Sequence, residues 1–190
     1  MKTIRKSLLV GLVFSLLCLG VPFLTANAAS PILFDADLSG QLFYPGFMVE
    51  NSDGSITYYG VIYWGTATGT ISGDWVMVLV VTYASGSTTG DVTVGAWAIG
   101  IRPDNLYGYV MGTIDPTAGD FNLEMSAIGG YGAYTGMEGT GYFQGNLSNY
   151  GENIDGSFLM ILVESASKGH EGGFGKIDDR ILSALRLLGP

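Results

Sequence analysis

From residue 32 to residue 165, runs rich in Val, Ile, Thr, Tyr and Phe alternate with clusters of Gly, Pro, Asn, Asp and Ser. That pattern marks β-strands joined by tight turns. The runs lie near 32–44, 55–71, 74–84, 90–101, 105–114, 119–128, 137–148 and 156–165, and they predict about eight strands. The punctuation is clear at Asn51-Ser52-Asp53-Gly54, at Ser72-Gly73-Asp74 and at Arg102-Pro103-Asp104-Asn105. Short, evenly spaced strands with glycine-rich turns predict an all-β barrel or sandwich built as a meander.

Several runs are apolar at every position. In Trp75-Val76-Met77-Val78-Leu79-Val80-Val81 and in Phe158-Leu159-Met160-Ile161-Leu162-Val163, neither alternate set is polar. An antiparallel sheet with one face in water alternates instead. A closed barrel whose outer wall packs against other subunits gives both faces an apolar neighbour, so the chain is expected to associate with itself. A lone barrel covered by its own C-terminal segment satisfies the same pattern.

The two ends read differently from the middle. Lys2, Arg5 and Lys6 precede an apolar stretch from Leu8 to Leu24, and Ala26-Asn27-Ala28 follows. That order predicts a cleavable export signal over residues 1–28, and hence a secreted or periplasmic protein with no stable membrane span after cleavage. The competing reading is a retained N-terminal anchor; Pro22 and the small-residue site favour cleavage. The barrel domain is expected over 29–165, followed by a Gly-rich linker over 166–176. Beyond it, Ile177, Ile181, Leu185 and Leu188 form one apolar stripe, which predicts a short amphipathic helix over 177–188. Asp178 and Asp179 in its first turn and Arg186 near its end suit the helix dipole.

Removal of the signal changes the chemistry that is available. It takes the only cysteine, Cys18, so disulfides, thiolate catalysis and cysteine-held metals are excluded from the mature protein. It also takes three of the eight basic residues, leaving five against seventeen acidic ones, a formal charge of −12. Arg102 is the only basic residue between Ala29 and Glu164. Such a surface repels phosphate backbones, so nucleic acid is excluded as a partner.

Candidate chemical groups are few. Asp35 and Asp37 share one face of the first strand, with Phe34, Ala36 and Leu38 on the other. If buried together, the two carboxylates would share a proton; at a barrel rim they would face solvent. Trp64, Trp75 and Trp97, with Tyr58, are candidates to line a cavity; strand aromatics also serve as core or interface. Exposed aromatics on the outer face would instead suit stacking on sugars. Arg102 is a candidate partner for a ligand carboxylate, or a turn residue. His170 is the only histidine and lies in the linker, which argues against a Ser-His-Asp hydrolase. No metal-ligand spacing is recognisable, and the Asn51-x-Asp53-Gly54 turn lacks the twelve-residue calcium-loop pattern. No cofactor is expected.

The most distinctive stretch runs from Ile128 to Phe143 and contains Gly129-Gly130-Tyr131-Gly132-Ala133-Tyr134-Thr135-Gly136-Met137-Glu138-Gly139-Thr140-Gly141. Thr135 sits where a dinucleotide-binding loop needs its third glycine, and no Lys-Ser/Thr follows, so phosphate binding is excluded. The stretch reads as a hairpin corner, with glycines for positive φ and close approach and with Tyr131 and Tyr134 covering them.

This stretch resembles the signature hairpin of the allene oxide cyclase and dirigent superfamily, whose members read close to "GGTGAYAGARGTG". Gly112-Thr113-Ile114-Asp115 and Phe121-Asn122-Leu123-Glu124-Met125 stand where that superfamily has its preceding strands. The resemblance implies a calycin-like, eight-stranded antiparallel barrel, usually a trimer, with an apolar cavity. It also implies cyclisation of an unstable epoxide or guidance of radical coupling, with acidic residues of the first strand in the cavity. The hairpin glycines Gly129, Gly130, Gly132, Gly136, Gly139 and Gly141, with Tyr134, carry the likeness. Met137-Glu138 departs from it where many members have Arg. The leading expectation is a small apolar ligand in the lumen, bound by Asp35, Asp37, Tyr58, Trp64, Trp75 and Trp97, with isomerase or cyclase chemistry. The alternative is a non-catalytic structural or surface-associated extracellular protein with a filled barrel.

Overall fold

Side-chain alternation decides what each strand buries. In β1 (Ile32–Tyr44), Phe34, Ala36 and Leu38 are buried while Asp35, Asp37 and Ser39 are exposed. A strand has period two, so one set must face the core and the other water. A computed structural model of the chain describes residues 30–101 and 103–165. The expected export signal, the linker, the C-terminal helix, Arg102 and His170 lie outside the described residues.

The remaining strands are β2 (Phe47–Glu50), β3 (Ile56–Gly69), β4 (Gly73–Tyr83), β5 (Gly90–Ile101), β6 (Asp104–Asp115), β7 (Asp120–Tyr131), β8 (Met137–Ser148) and β9 (Asn153–Glu164). Strands β3 to β9 pair in sequence order, each antiparallel to the next. Strand β1 closes the ring by pairing with β9 on one side and β3 on the other, from Ala36 opposite Gly69 to Tyr44 opposite Ile62. The result is a closed eight-stranded antiparallel barrel. Closure removes the two free edges that an open sheet would leave.

One strand was not foreseen. Strand β2 is only four residues long and follows Pro45-Gly46, which read as the end of a run. It pairs with the first part of β3, from Phe47 opposite Tyr59 to Glu50 opposite Ile56. A bulge at Gly60 separates that part of β3 from the part that pairs with β1. Strand β9 also begins earlier than expected, at Asn153.

Inside the ring, large rings sit where a neighbour has no side chain. A Cβ on Gly40 would lie 2.5 Å from the Trp75 indole, and one on Gly156 would lie 2.9 Å from the Phe121 ring. Trp75 packs edge-on to Phe143 with centroids 5.8 Å apart, and Trp97 packs edge-on to Phe158 at 5.7 Å. Edge-to-face ring pairs add to what the buried area contributes.

One barrel end is closed by the β8–β9 turn. Asn149 and Tyr150 there have φ of 52° and 58°, a conformation costly for a side chain as large as tyrosine. The Tyr63 hydroxyl, inside the barrel, donates a hydrogen bond of 2.9 Å to the Gly151 carbonyl and ties the turn down. Burial, with a smaller contribution from Tyr83, pushes the Tyr63 hydroxyl from its ordinary value of 10.0 up to about 12. Tyr83 is pushed up to about 12 in the same way, by burial and then by Tyr58 and Asp115.

A phenol whose folded pKa is raised holds its proton more tightly folded than unfolded. Its contribution is therefore intact below pH 10 and is lost as pH climbs towards about 12. Urea titrations at pH 8 and at pH 11.5 should show this loss. Tyr63→Phe should cost about 1 kcal/mol at pH 8, the worth of one hydrogen bond. The same variant should show a shallower fall in stability at alkaline pH.

Candidate functional site

The expected site was the lumen, and its polar groups are the first thing to locate. The Trp75 indole N–H donates to the Ser39 carbonyl at 3.2 Å, and the Trp97 indole N–H donates to the Tyr109 carbonyl at 2.9 Å. Both tryptophans thus spend their polar atoms on the barrel wall. Among the described residues the buried polar side chains are Ser55 and Thr57. They sit at the β2–β3 turn, where Asn51 Nδ2 donates to both and Thr57 Oγ1 pairs with Thr82 Oγ1. None is directed at a lumenal ligand.

The interior beside the two indole rings is closely packed. Between Leu38, Met77, Met125 and the Trp75, Trp97 and Phe158 rings, the free space is ≈ 10 Å³. Pockets for small molecules run to hundreds of Å³. Trp75, Trp97, Phe143 and Phe158 pack against one another in this part of the interior. Tyr58 lies half-buried at the barrel end, edge-on to Tyr83 with centroids 5.9 Å apart.

Asp35 and Asp37 also lie elsewhere than a cavity model needs. Both are exposed on the outer wall, because Phe34, Ala36 and Leu38 take the inner positions. Asp35 Oδ1 accepts a hydrogen bond from Thr70 Oγ1, and Asp37 Oδ1 accepts one of 3.3 Å from Ser157 Oγ. Each carboxylate has its own hydroxyl partner. Trp64 is on the outer wall too, edge-on to Phe43 at 6.0 Å.

The glycine-rich hairpin is a structural corner. Gly129 and Gly130 end β7, and Gly132 to Tyr134 form a single 3₁₀ turn. Gly132 has φ of +61°, and a Cβ there would collide with the Asp104 carboxylate. That carboxylate accepts a 2.8 Å hydrogen bond from the Ala133 N–H and holds the corner. Gly136, at φ of +76°, completes the turn. Gly139 and Gly141 start β8, pressed against the backbone of β9. Tyr134 covers the barrel end, edge-on to Phe34 at 5.4 Å.

Open space lies outside. A groove of ≈ 550 Å³ runs over β1, β9 and β8, lined by Asp35, Asp37, Thr68, Asn122, Tyr142, Gln144, Ser157 and Leu159, among others. A second, of ≈ 670 Å³, continues along β1 past Ser39, Gln41 and Phe43, with Trp64, Thr66, Asp74 and Asp155 on its walls. Register explains the alignment. Asp37 stands opposite Thr68 on one side and Ser157 on the other, and Gln144 stands between Ser157 and Asn122. Asp35 and Asp37 were singled out from the sequence. Thr68, Asn122, Tyr142, Gln144 and Ser157 were missed, because no single segment brings them together; only strand register does. Among the described residues no group of three metal-binding side chains converges.

Close packing of the lumen makes a direct prediction. Trp97→Ala should lower stability by about 3–5 kcal/mol in urea unfolding, the cost of a large buried ring and the cavity it leaves. A loss below about 2 kcal/mol would show that the ring borders open space.

Comparison with family models, with curated proteins and with solved structures gives no match, so the fold and the geometry of its surfaces carry the functional reading.

Proposed function

We propose that this chain is an exported, non-catalytic extracellular protein that acts through the outside of a filled barrel. The observation that carries the reading is the close packing among Trp75, Trp97 and Phe158, which leaves ≈ 10 Å³ between them, beside open grooves on the outer wall. Cyclase or radical-coupling chemistry relies on a cavity that holds the reactant in a reactive shape. A lumen without that space supplies neither orientation nor exclusion of water.

Kinship with the allene oxide cyclase and dirigent superfamily is part of the proposal. The antiparallel meander and the glycine corner at Gly129–Gly141 support it at the level of fold. The filled lumen then separates this chain from the superfamily's catalytic members. Export through residues 1–28 remains the proposed address, and the acidic, thiol-free composition suits it.

Self-association belongs to the same reading. Leu33, Leu159, Ile161 and Val163 are exposed together on the outer wall of β1 and β9. Phe47 and Tyr59, stacked with centroids 5.1 Å apart, form a second exposed area where β2 meets β3. Exposed apolar area of this kind favours contact with another protein surface, and a second copy of the chain is the partner proposed.

A titration with the fluorescent fatty acid cis-parinaric acid tests the reading. The expected result is no saturable uptake up to about 100 µM, because an acyl chain needs an enclosed apolar pocket that buries most of its surface. Saturable one-to-one uptake in the low micromolar range would return function to the lumen.

A further inference from the structure

The two outer grooves lie end to end along β1, and their chemistry is consistent from one end to the other. Successive outward positions on β1 are Asp35, Asp37, Ser39, Gln41 and Phe43. Opposite them on β9 stand Leu159, Ser157, Asp155 and Asn153, and on β3 stand Thr68, Thr66 and Trp64. From Asp35 to Phe43 the strand spans about 26 Å at the usual rise per residue. The floor is therefore mainly carboxylates, amides and hydroxyls, with Leu159 towards one end and Phe43 and Trp64 towards the other. Tyr142, about half exposed, stands at one end, and Trp64 stands at the other.

We infer that this band binds an extended, uncharged polysaccharide chain, an inference that rests on the outer wall being the working surface. Three features of the band select that ligand class. Carboxylates and side-chain amides on a fixed strand register offer both acceptors and donors, which is what a row of sugar hydroxyls requires. Hydrogen bonds to an ionised carboxylate are the stronger kind, and Asp35 and Asp37 each keep one oxygen free of the Thr70 and Ser157 bonds described above. Flat aromatic faces at both ends suit the C–H faces of pyranose rings, which carry slight positive charge against the negative face of the ring.

Charge decides among the polymers. Asp35, Asp37, Asp74 and Asp155 border the band, and among the described residues no basic one does. Acidic glycans and nucleic acids are repelled by such a surface. The groove is open along its length, so an internal stretch of a long chain can lie in it without an end group.

Isothermal titration of the mature protein with cellohexaose, maltohexaose and mannohexaose tests the inference, with hexagalacturonic acid and chitosan hexamer as charged comparisons. The expected result is saturable binding of at least one neutral hexamer and none of the galacturonic acid. Trp64→Ala and Tyr142→Ala should each weaken that binding about tenfold, the loss of one stacked ring. Tyr150→Ala, exposed outside the band, should leave it unchanged. Tyr142 is exposed, so its variant reads binding without disturbing the fold. No binding of any neutral hexamer at millimolar concentration, binding of the charged hexamers alone, or binding indifferent to both ring variants would overturn the inference. Absence of sugar binding together with absence of fatty-acid uptake would reject the glycan while leaving the outer-wall reading in place. Fatty-acid uptake would reject both.

Discussion

The whole structure depends on seating large rings against positions that have no side chain. Eight strands enclose a narrow interior, just wide enough for side chains to fill. Trp75 fits because Gly40 faces it, and Phe121 fits because Gly156 does. With a Cβ at either place the ring would have to move or the strands would have to part. The glycines are therefore spent on packing as much as on turns. Rings brought this close fill the axis, and Phe121 and Phe143 approach to 4.6 Å between centroids.

A filled axis has consequences for function. The inner positions of the eight barrel strands are committed to packing, and the Trp75 and Trp97 N–H groups to wall carbonyls. The other alternate set faces outward. On β4 that set is Val76, Val78 and Val80, which offers only apolar contact. On β1 it is Asp35, Asp37, Ser39 and Gln41, which offers hydrogen bonding. The outward set thus differs from strand to strand, apolar and half-buried on β4 and polar along the middle of β1. The difference is set by which residues stand outward on which strand.

Much of the fold was legible in the sequence. The eight long strands are bounded by Gly, Asn, Asp and Pro clusters whose backbone preferences are strong, and their limits fell within a few residues. Strand β2 was not legible, since four residues after Pro45-Gly46 carry too little pattern to separate a strand from a loop. The orientation of Asp35 and Asp37 was half legible. Alternation put them on one face together and left open whether that face looked into the barrel or out to solvent. The face was decided by Phe34, Ala36 and Leu38, which bury more apolar area than two carboxylates could tolerate losing. The state of the lumen was not legible at all. Whether Trp75 and Trp97 line a space or fill it depends on which residues they meet across the barrel, and that is a matter of register between distant strands.

The central claim is that the barrel axis is packed solid and leaves function to the outer wall. Crystals of the mature protein pressurised with xenon would test it most directly, because xenon enters apolar cavities that other ligands miss. The account predicts no xenon on the barrel axis. A xenon atom held among Trp75, Trp97, Phe143 and Phe158 would reveal an apolar cavity inside and contradict it.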